Sequence, residues 1–275
     1  MKKSIQRSFN FGKSGAAKSL ALGVALTLSI LPSISSAQAS EQDLSSAAND
    51  PTASLMSFQL QDFYVSDFHN LDNETQNTVQ FRAAIPFTLG GTNNIARLTL
   101  PYFTDTPSGG SGLSDMTLFN LTVFEQDWGR WGVGAVALLP TGEDGLSAEK
   151  WGLGPAVGFS AQEGWGLWGL FNQNILTVAG DDDRPDVNIS TLQPILNVPI
   201  GSGWSFGFSE MTFVYDWDAN KFTSLPLGLK VSKLTNPGAG RIPVQYQLSY
   251  ERDFYDEGVA PRDTVGVTVK FLVPK

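Results

Sequence analysis

Apolar and polar residues alternate along most of this chain with a period of two. Val79, Phe81, Ala83, Ile85 and Phe87 are interleaved with Gln80, Arg82, Ala84 and Pro86, and Leu225, Leu227, Leu229 and Val231 with Ser224, Pro226, Gly228 and Lys230. The same pattern returns in Ile242, Val244, Tyr246, Leu248 and Tyr250, and again in Val265, Val267, Val269, Phe271 and Val273. Side chains of a strand point alternately to opposite faces, so each segment predicts a strand with one apolar and one polar face. Read this way, strands are predicted near 55–68, 76–89, 95–105, 115–126, 130–140, 152–162, 165–178, 187–200, 203–216, 221–233, 241–253 and 262–273. Alternation alone suits a water-facing sandwich as well as a lipid-facing barrel.

The connections decide between these. Those near His69–Thr75, Thr106–Ser114, Thr141–Trp151, Ala179–Asp186, Trp217–Asn220 and Phe254–Pro261 are mostly long and acidic. Those near Gly90–Asn94, Asp127–Gly129, Glu163–Gly164, Gly201–Ser202 and Leu234–Gly240 are mostly short and rich in glycine. An even number of strands, each able to cross a bilayer with the usual tilt, joined alternately by long loops and short turns, is the pattern of an outer-membrane barrel. All 7 tryptophans fall at or near strand ends, where an amphipathic indole meets the lipid boundary. The expected fold is therefore all-β: a transmembrane antiparallel up-and-down barrel of about twelve strands over residues 55–275.

The N-terminus reads as an address. Lys2, Lys3, Arg7, Lys13 and Lys18 precede an apolar run from Leu20 to Leu31, and Ala37-Gln38-Ala39 is a small-x-small cleavage site. The run is shorter than a spanning helix needs, so residues 1–39 are expected to be a signal peptide and the polar stretch 40–54 a flexible segment. Net charge is −9, and removing the leader makes it more negative, because the leader holds no acid. Such acidity excludes nucleic acid as a partner. With no cysteine there is no disulfide, thiolate metal site or catalytic thiol, and the single histidine, His69, leaves little imidazole chemistry.

If the polar faces point inward, the lumen collects Gln59, Gln61, Gln80, Arg82, Arg97, Asn120, Thr122, Gln193, Glu210, Thr212, Lys230, Gln245, Gln247, Glu251 and Lys270. Of these, Arg82, Arg97, Glu210, Lys230, Gln245, Gln247, Glu251 and Lys270 are the candidate pore-lining residues. Four cations against two anions would make a mildly positive interior that favours small anions. The competing expectation is that the charges pair and close the lumen, since twelve strands lie between the filled eight-stranded and the open sixteen-stranded barrels. The acids Asp181, Asp182, Asp183 and Asp186 offer hard oxygen ligands for a divalent cation, but without the spacing of a calcium loop.

The stretches Gly112-Leu113-Ser114-Asp115-Met116-Thr117-Leu118, Pro140-Thr141-Gly142 with Gly152-Leu153-Gly154-Pro155, Leu192-Gln193-Pro194, and Ala260-Pro261-Arg262-Asp263 resemble the outer-membrane family of the MetA pathway of phenol degradation. The likeness runs over roughly Ser54 to Pro274. It implies a channel or transporter for small aromatic or carboxylate compounds, with no cofactor and no catalytic residues. Expected partners are the lipid bilayer with lipopolysaccharide, the outer-membrane assembly machinery and a small-molecule solute. The alternatives are a structural or surface-interaction barrel with a closed lumen, or a lipid hydrolase, for which His69 would have to serve as the base.

Overall fold

The computed structural model describes residues 41–235 and 241–273. The expected signal peptide lies outside the described residues. After one helix, α1 (Glu41–Ala48), come β1 (Met56–His69), β2 (Gln76–Leu89), β3 (Thr92–Asp105), β4 (Gly112–Leu113), β5 (Met116–Gln126), β6 (Gly129–Leu139), β7 (Lys150–Glu163) and β8 (Gly166–Gly180). The chain continues through β9 (Asn188–Gly201), β10 (Trp204–Phe208), β11 (Phe213–Asp216), β12 (Lys221–Ser224), β13 (Pro226–Thr235), β14 (Val244–Asp253) and β15 (Ala260–Val273).

Every neighbouring pair is antiparallel, and the last strand returns to the first: Phe58 lies opposite Phe271 and Leu60 opposite Val269. The circuit closes because β10 pairs with both β9 and β13, and only the short strands β4 and β12 keep an unpaired side. The fifteen segments make a twelve-stranded barrel, with β4 a short addition beside β3 and two staves each divided in two. The predicted strands 203–216 and 221–233 are those divided ones, as β10 with β11 and β12 with β13. Between Phe208 and Phe213 regular pairing stops: Ser209 N still donates to the Gly228 carbonyl at 3.1 Å, and side chains take over the hydrogen bonds beyond it. Met211 N donates to Ser209 Oγ at 3.2 Å and Gly228 N to Met211 Sδ at 3.0 Å.

The expected aromatic placement is present: all seven tryptophans are exposed at the outer surface. The wall is drawn in tightly at β6 and β7. At Gly134 and Gly154 a Cβ would stand 1.8 Å from the Asn120 carbonyl oxygen and 1.9 Å from that of Asn174, so only glycine fits.

Residues 41–54, read from their polarity as a flexible segment, instead form α1 and a strap inside the barrel. Leu44 and Ala48 pack with Leu234 and Leu272 on one side of the lumen. On the other side Asp50 accepts from Arg130 at 2.9 Å, and the Thr52 and Ser160 hydroxyls share a hydrogen bond of 2.8 Å. Asp50 also accepts from the backbone and hydroxyl of Thr52 at 2.8 and 2.7 Å, which fixes the bend that leads into β1. The composition gave no sign of this because the helix is short and its stability is tertiary.

Candidate functional site

The inward positions of the barrel are not uniformly polar. Along β13, β14, β15, β1 and β2 the polar face turns inward, burying Lys230, Ser232, Gln245, Gln247, Thr268, Lys270, Gln59 and Gln61, while the apolar face is exposed at Leu229, Leu248, Val267, Leu60 and Phe81. Along β3, β5, β6, β7 and β8 the inward positions are mostly apolar. There Ile95, Phe119, Leu121, Val123, Val136, Ala156, Phe171 and Ile175 form a buried cluster. Asn120 and Thr122, expected in the lumen, are corrected by this: they alternate with buried Phe119, Leu121 and Val123 and share the outer face with exposed Leu118 and Phe124. A polar–apolar alternation names two faces without naming which is inside, and in β5 the larger apolar side chains take the interior.

The candidate pore residues meet where these two halves adjoin. Arg82 on β2 forms an ion pair with Glu210, which sits in the interrupted stretch between β10 and β11. Gln61 Nε2 donates to the same carboxylate at 3.2 Å, Gln80 donates to Gln61 at 2.7 Å, and Arg82 Nε donates to Thr99 at 3.3 Å. The loss of regular pairing at 209–212 is what lets Glu210 reach inward.

Arg97 on β3 has a different environment. Its guanidinium carbon lies 4.1 Å from the Phe119 ring centroid and 5.6 Å from that of Phe171, a cation–π contact with the apolar half. Its Nε has no hydrogen-bond partner among the described residues.

Two further cations hold the strap. Lys270 Nζ donates to the carbonyl of Ala48 at 2.7 Å, and Lys230 Nζ donates to Asn49 Oδ1 at 2.7 Å. Lys270 thereby complements the last turn of α1, whose final carbonyls carry the negative end of the helix dipole, while Lys230 takes a side-chain oxygen just beyond the helix. Gln247 reaches the same Asn49 oxygen at 3.3 Å and donates to Gln245 at 2.7 Å. Glu251, expected among the charges, lies further along β14, beside Gly228: a Cβ there would stand 2.6 Å from its Cγ.

Between strap and wall is a cavity of about 80 Å³ bordered by Asn49, Arg82, Arg97, Glu210, Lys230 and Lys270, with Ile95, Phe119, Pro194 and Phe208 completing its lining. Its lining sets cations on one side and rings and aliphatic carbons on the other. One carboxylate, Glu210, faces those four cations; Asp50, at the margin, is taken up by Arg130. Sequence reasoning found the charged residues and missed the strap and the aromatic wall, because neither shows in a single strand's alternation.

The other candidates fare differently. Among the described residues no group of three or more acidic or histidine side chains is arranged to hold a metal ion. In the acidic loop Asp186 pairs with Lys150 at 2.9 Å and Asp181 accepts from the backbone of Asp183 at 2.8 Å. His69 Nε2 is 2.9 Å from the carbonyl oxygen of Asp253, a tether between β1 and the end of β14.

No family's sequence profile matches the chain, and no curated protein matches it by sequence. Solved structures do. The chain is similar to the COG4313 outer membrane channel from Pseudomonas putida F1, at 13% identity and a TM-score of 0.56 over 82% of this chain and 98% of that one. It also aligns with outer membrane phospholipase A from Escherichia coli, at 12% identity and a TM-score of 0.41 over 86% of this chain and 98% of that one. The first likeness establishes the fold, a twelve-stranded barrel of the outer-membrane kind.

Proposed function

We propose that this protein is an outer-membrane channel for small amphipathic anions, aromatic or aliphatic carboxylates among them, whose passage is governed by the strap that carries α1. The observation that supports this most is the cation-lined cavity between strap and wall. Four cations held out of bulk water are costly unless an opposite charge meets them. Glu210 satisfies Arg82, and the strap satisfies Lys230 and Lys270. Arg97 is left with a ring beneath it and an unused N–H, the arrangement that a solute carboxylate completes. The sequence resemblance to the phenol-degradation outer-membrane family and the fold likeness to an outer membrane channel favour the same reading.

A second reading, a structural barrel with a closed lumen, draws on the same strap. A cavity of about 80 Å³ has room for only a few waters, each occupying roughly 30 Å³ of liquid, so a solute passes only if the strap shifts. Planar-bilayer recordings on the mature chain separate the two. The channel reading expects a small anion-preferring conductance, increased when residues 41–54 are deleted and weakened or reversed by Arg82→Glu with Arg97→Glu. Absence of current from both the full chain and the deletion would favour the closed barrel, and a cation-preferring pore would move selectivity to the acidic loops.

Location is tested apart from transport. The protein is expected to fractionate with the outer membrane and to change gel mobility on boiling, as closed barrels do when they finally unfold. Recovery as a soluble periplasmic monomer would overturn this assignment.

A further inference from the structure

The reversed alternation of β5 and β8 leaves an unusual outer surface. In the middle of the wall, where the other half of the barrel shows Leu229, Leu248 and Val267, this half shows Asn120 and Thr122 on β5 and Asn172 and Asn174 on β8. These polar side chains are joined into two ladders. Asn120 and Thr122 both donate to Asn94 Oδ1, at 3.4 and 2.9 Å. Asn172 donates to the Thr191 carbonyl at 2.9 Å, Asn174 to Asn172 at 2.7 Å, and Ser190 to Asn174. The ladders hold the amides of Asn172 and Asn174 in fixed positions on the outer face. Between the ladders run the small outward residues Ala135 and Pro155, which pair across β6 and β7. A concavity of about 210 Å³ bounded by Trp131, Val157, Phe159 and Leu170 lies beside Asn172.

We propose that this outer face is the contact surface for a second copy of the same chain within the membrane. The proposal rests on the membrane location given above. Hydrocarbon offers nothing to an amide, whereas polar side chains and small residues that permit close approach are what bind one membrane segment to another. An amide both donates and accepts, so the same patch can pair with itself about a two-fold axis. The concavity needs a large apolar filler, and this face itself carries the exposed indoles of Trp131 and Trp168. Five strands at about 4.8 Å spacing across a band about 25 Å tall present on the order of 600 Å². Two convex walls meet along only part of such faces, so the pair buries less than roughly 1,200 Å² and belongs to the weak, transient class of contact, held by its amides more than by area.

Because the chain has no cysteine, single replacements report proximity cleanly. Ala135→Cys, in the full-length protein in its membrane, is expected to give a disulfide-linked dimer of twice the chain mass on mild oxidation. Leu248→Cys, on the opposite outer face, is expected to give none. Adding Asn172→Leu with Asn174→Leu to the Ala135→Cys chain should lower the linked fraction about tenfold, as two lost membrane hydrogen bonds imply. These leucines make the face more lipid-compatible, so the shift in mobility on boiling should survive and shows separately that the barrel has inserted. Equal linkage from both faces, linkage only to a protein of different mass, no linkage at Ala135 in an inserted barrel, or linkage indifferent to the two leucines would each overturn the proposal.

Discussion

The two halves of the barrel are built from strands of the same period and opposite facing. In β13, β14, β15, β1 and β2, glutamines and lysines meet in the lumen and the hydrocarbon-like residues look out. In β3 and β5–β8 a cluster of aliphatic and phenylalanine side chains lines the interior, and asparagines sit among the apolar residues of the outer wall. Asp62 interrupts the apolar outer face of the first half, accepting from Asn77 at 2.5 Å. The contrast shows how one wall can both bury a core like a soluble protein and keep a wet, charged compartment. Apolar side chains packed on one side of the lumen stiffen it, and the strap and the cations share the other side.

The largest test of this contrast is to empty the apolar half. Phe171, buried and in tilted contact with Phe119 at 5.3 Å between ring centroids, should cost about 3–5 kcal/mol on replacement by alanine. Gln245→Ala, in the polar half, should cost about 1 kcal/mol. Denaturant unfolding in lipid vesicles measures both, and equal losses would mean that the lumen has no apolar core.

Next in size is facing. Leu248→Arg should impair insertion by roughly 2–4 kcal/mol, since it sets a charge against hydrocarbon. Gln247→Arg, one residue away on the inward face, should insert more readily, as judged by the fraction that resists unboiled detergent. Equal tolerance would show that the outer face of that half does not meet lipid.

The strap joins the halves, and Asp50→Ala should loosen it. That change removes the Arg130 ion pair and the Thr52 contacts, a loss of about 1–3 kcal/mol for groups left unsatisfied. Faster proteolysis within residues 41–54 and larger conductance are the expected readouts, and an unchanged cleavage rate would assign the strap's anchoring to Lys230 and Lys270 alone.

The smallest effect lies in the loops. The Tyr255 hydroxyl, donating to Glu257 at 2.8 Å, and Lys221, at 3.4 Å, hold that carboxyl below its usual range. A depressed folded pKa gives stability that is present above the unfolded value and lost as pH falls through the folded one. The 254–259 loop should therefore become more protease-sensitive only on acidification below the ordinary carboxylate range. In Glu257→Gln the sensitivity should be raised slightly already at neutral pH and no longer change with acid.

Strand number, spacing, loop alternation and the tryptophan belts were legible in the chain because each depends on local period and on residues near a boundary. The charged members of the cavity were legible too, since Arg82, Lys230 and Lys270 sit on strands whose apolar faces are unmistakable. Arg97 belongs to β3, where its neighbours Ile95 and Thr99 are also inward, so its polarity said little about its surroundings.

What the sequence determined by itself is the repeating unit, a two-faced strand, and the count that closes it. Tertiary structure decided which face of β5 and β8 goes inside, because that choice depends on whether partners across the lumen are polar or apolar, and alternation is symmetric under exchange of faces. It likewise decided that residues 41–54 enter the barrel. The eight residues of α1 have little reason to be helical alone; Lys270 of β15 holds the last of them, and Lys230, Arg130 and Ser160 hold Asn49, Asp50 and Thr52 just beyond, contacts between positions as much as 222 residues apart.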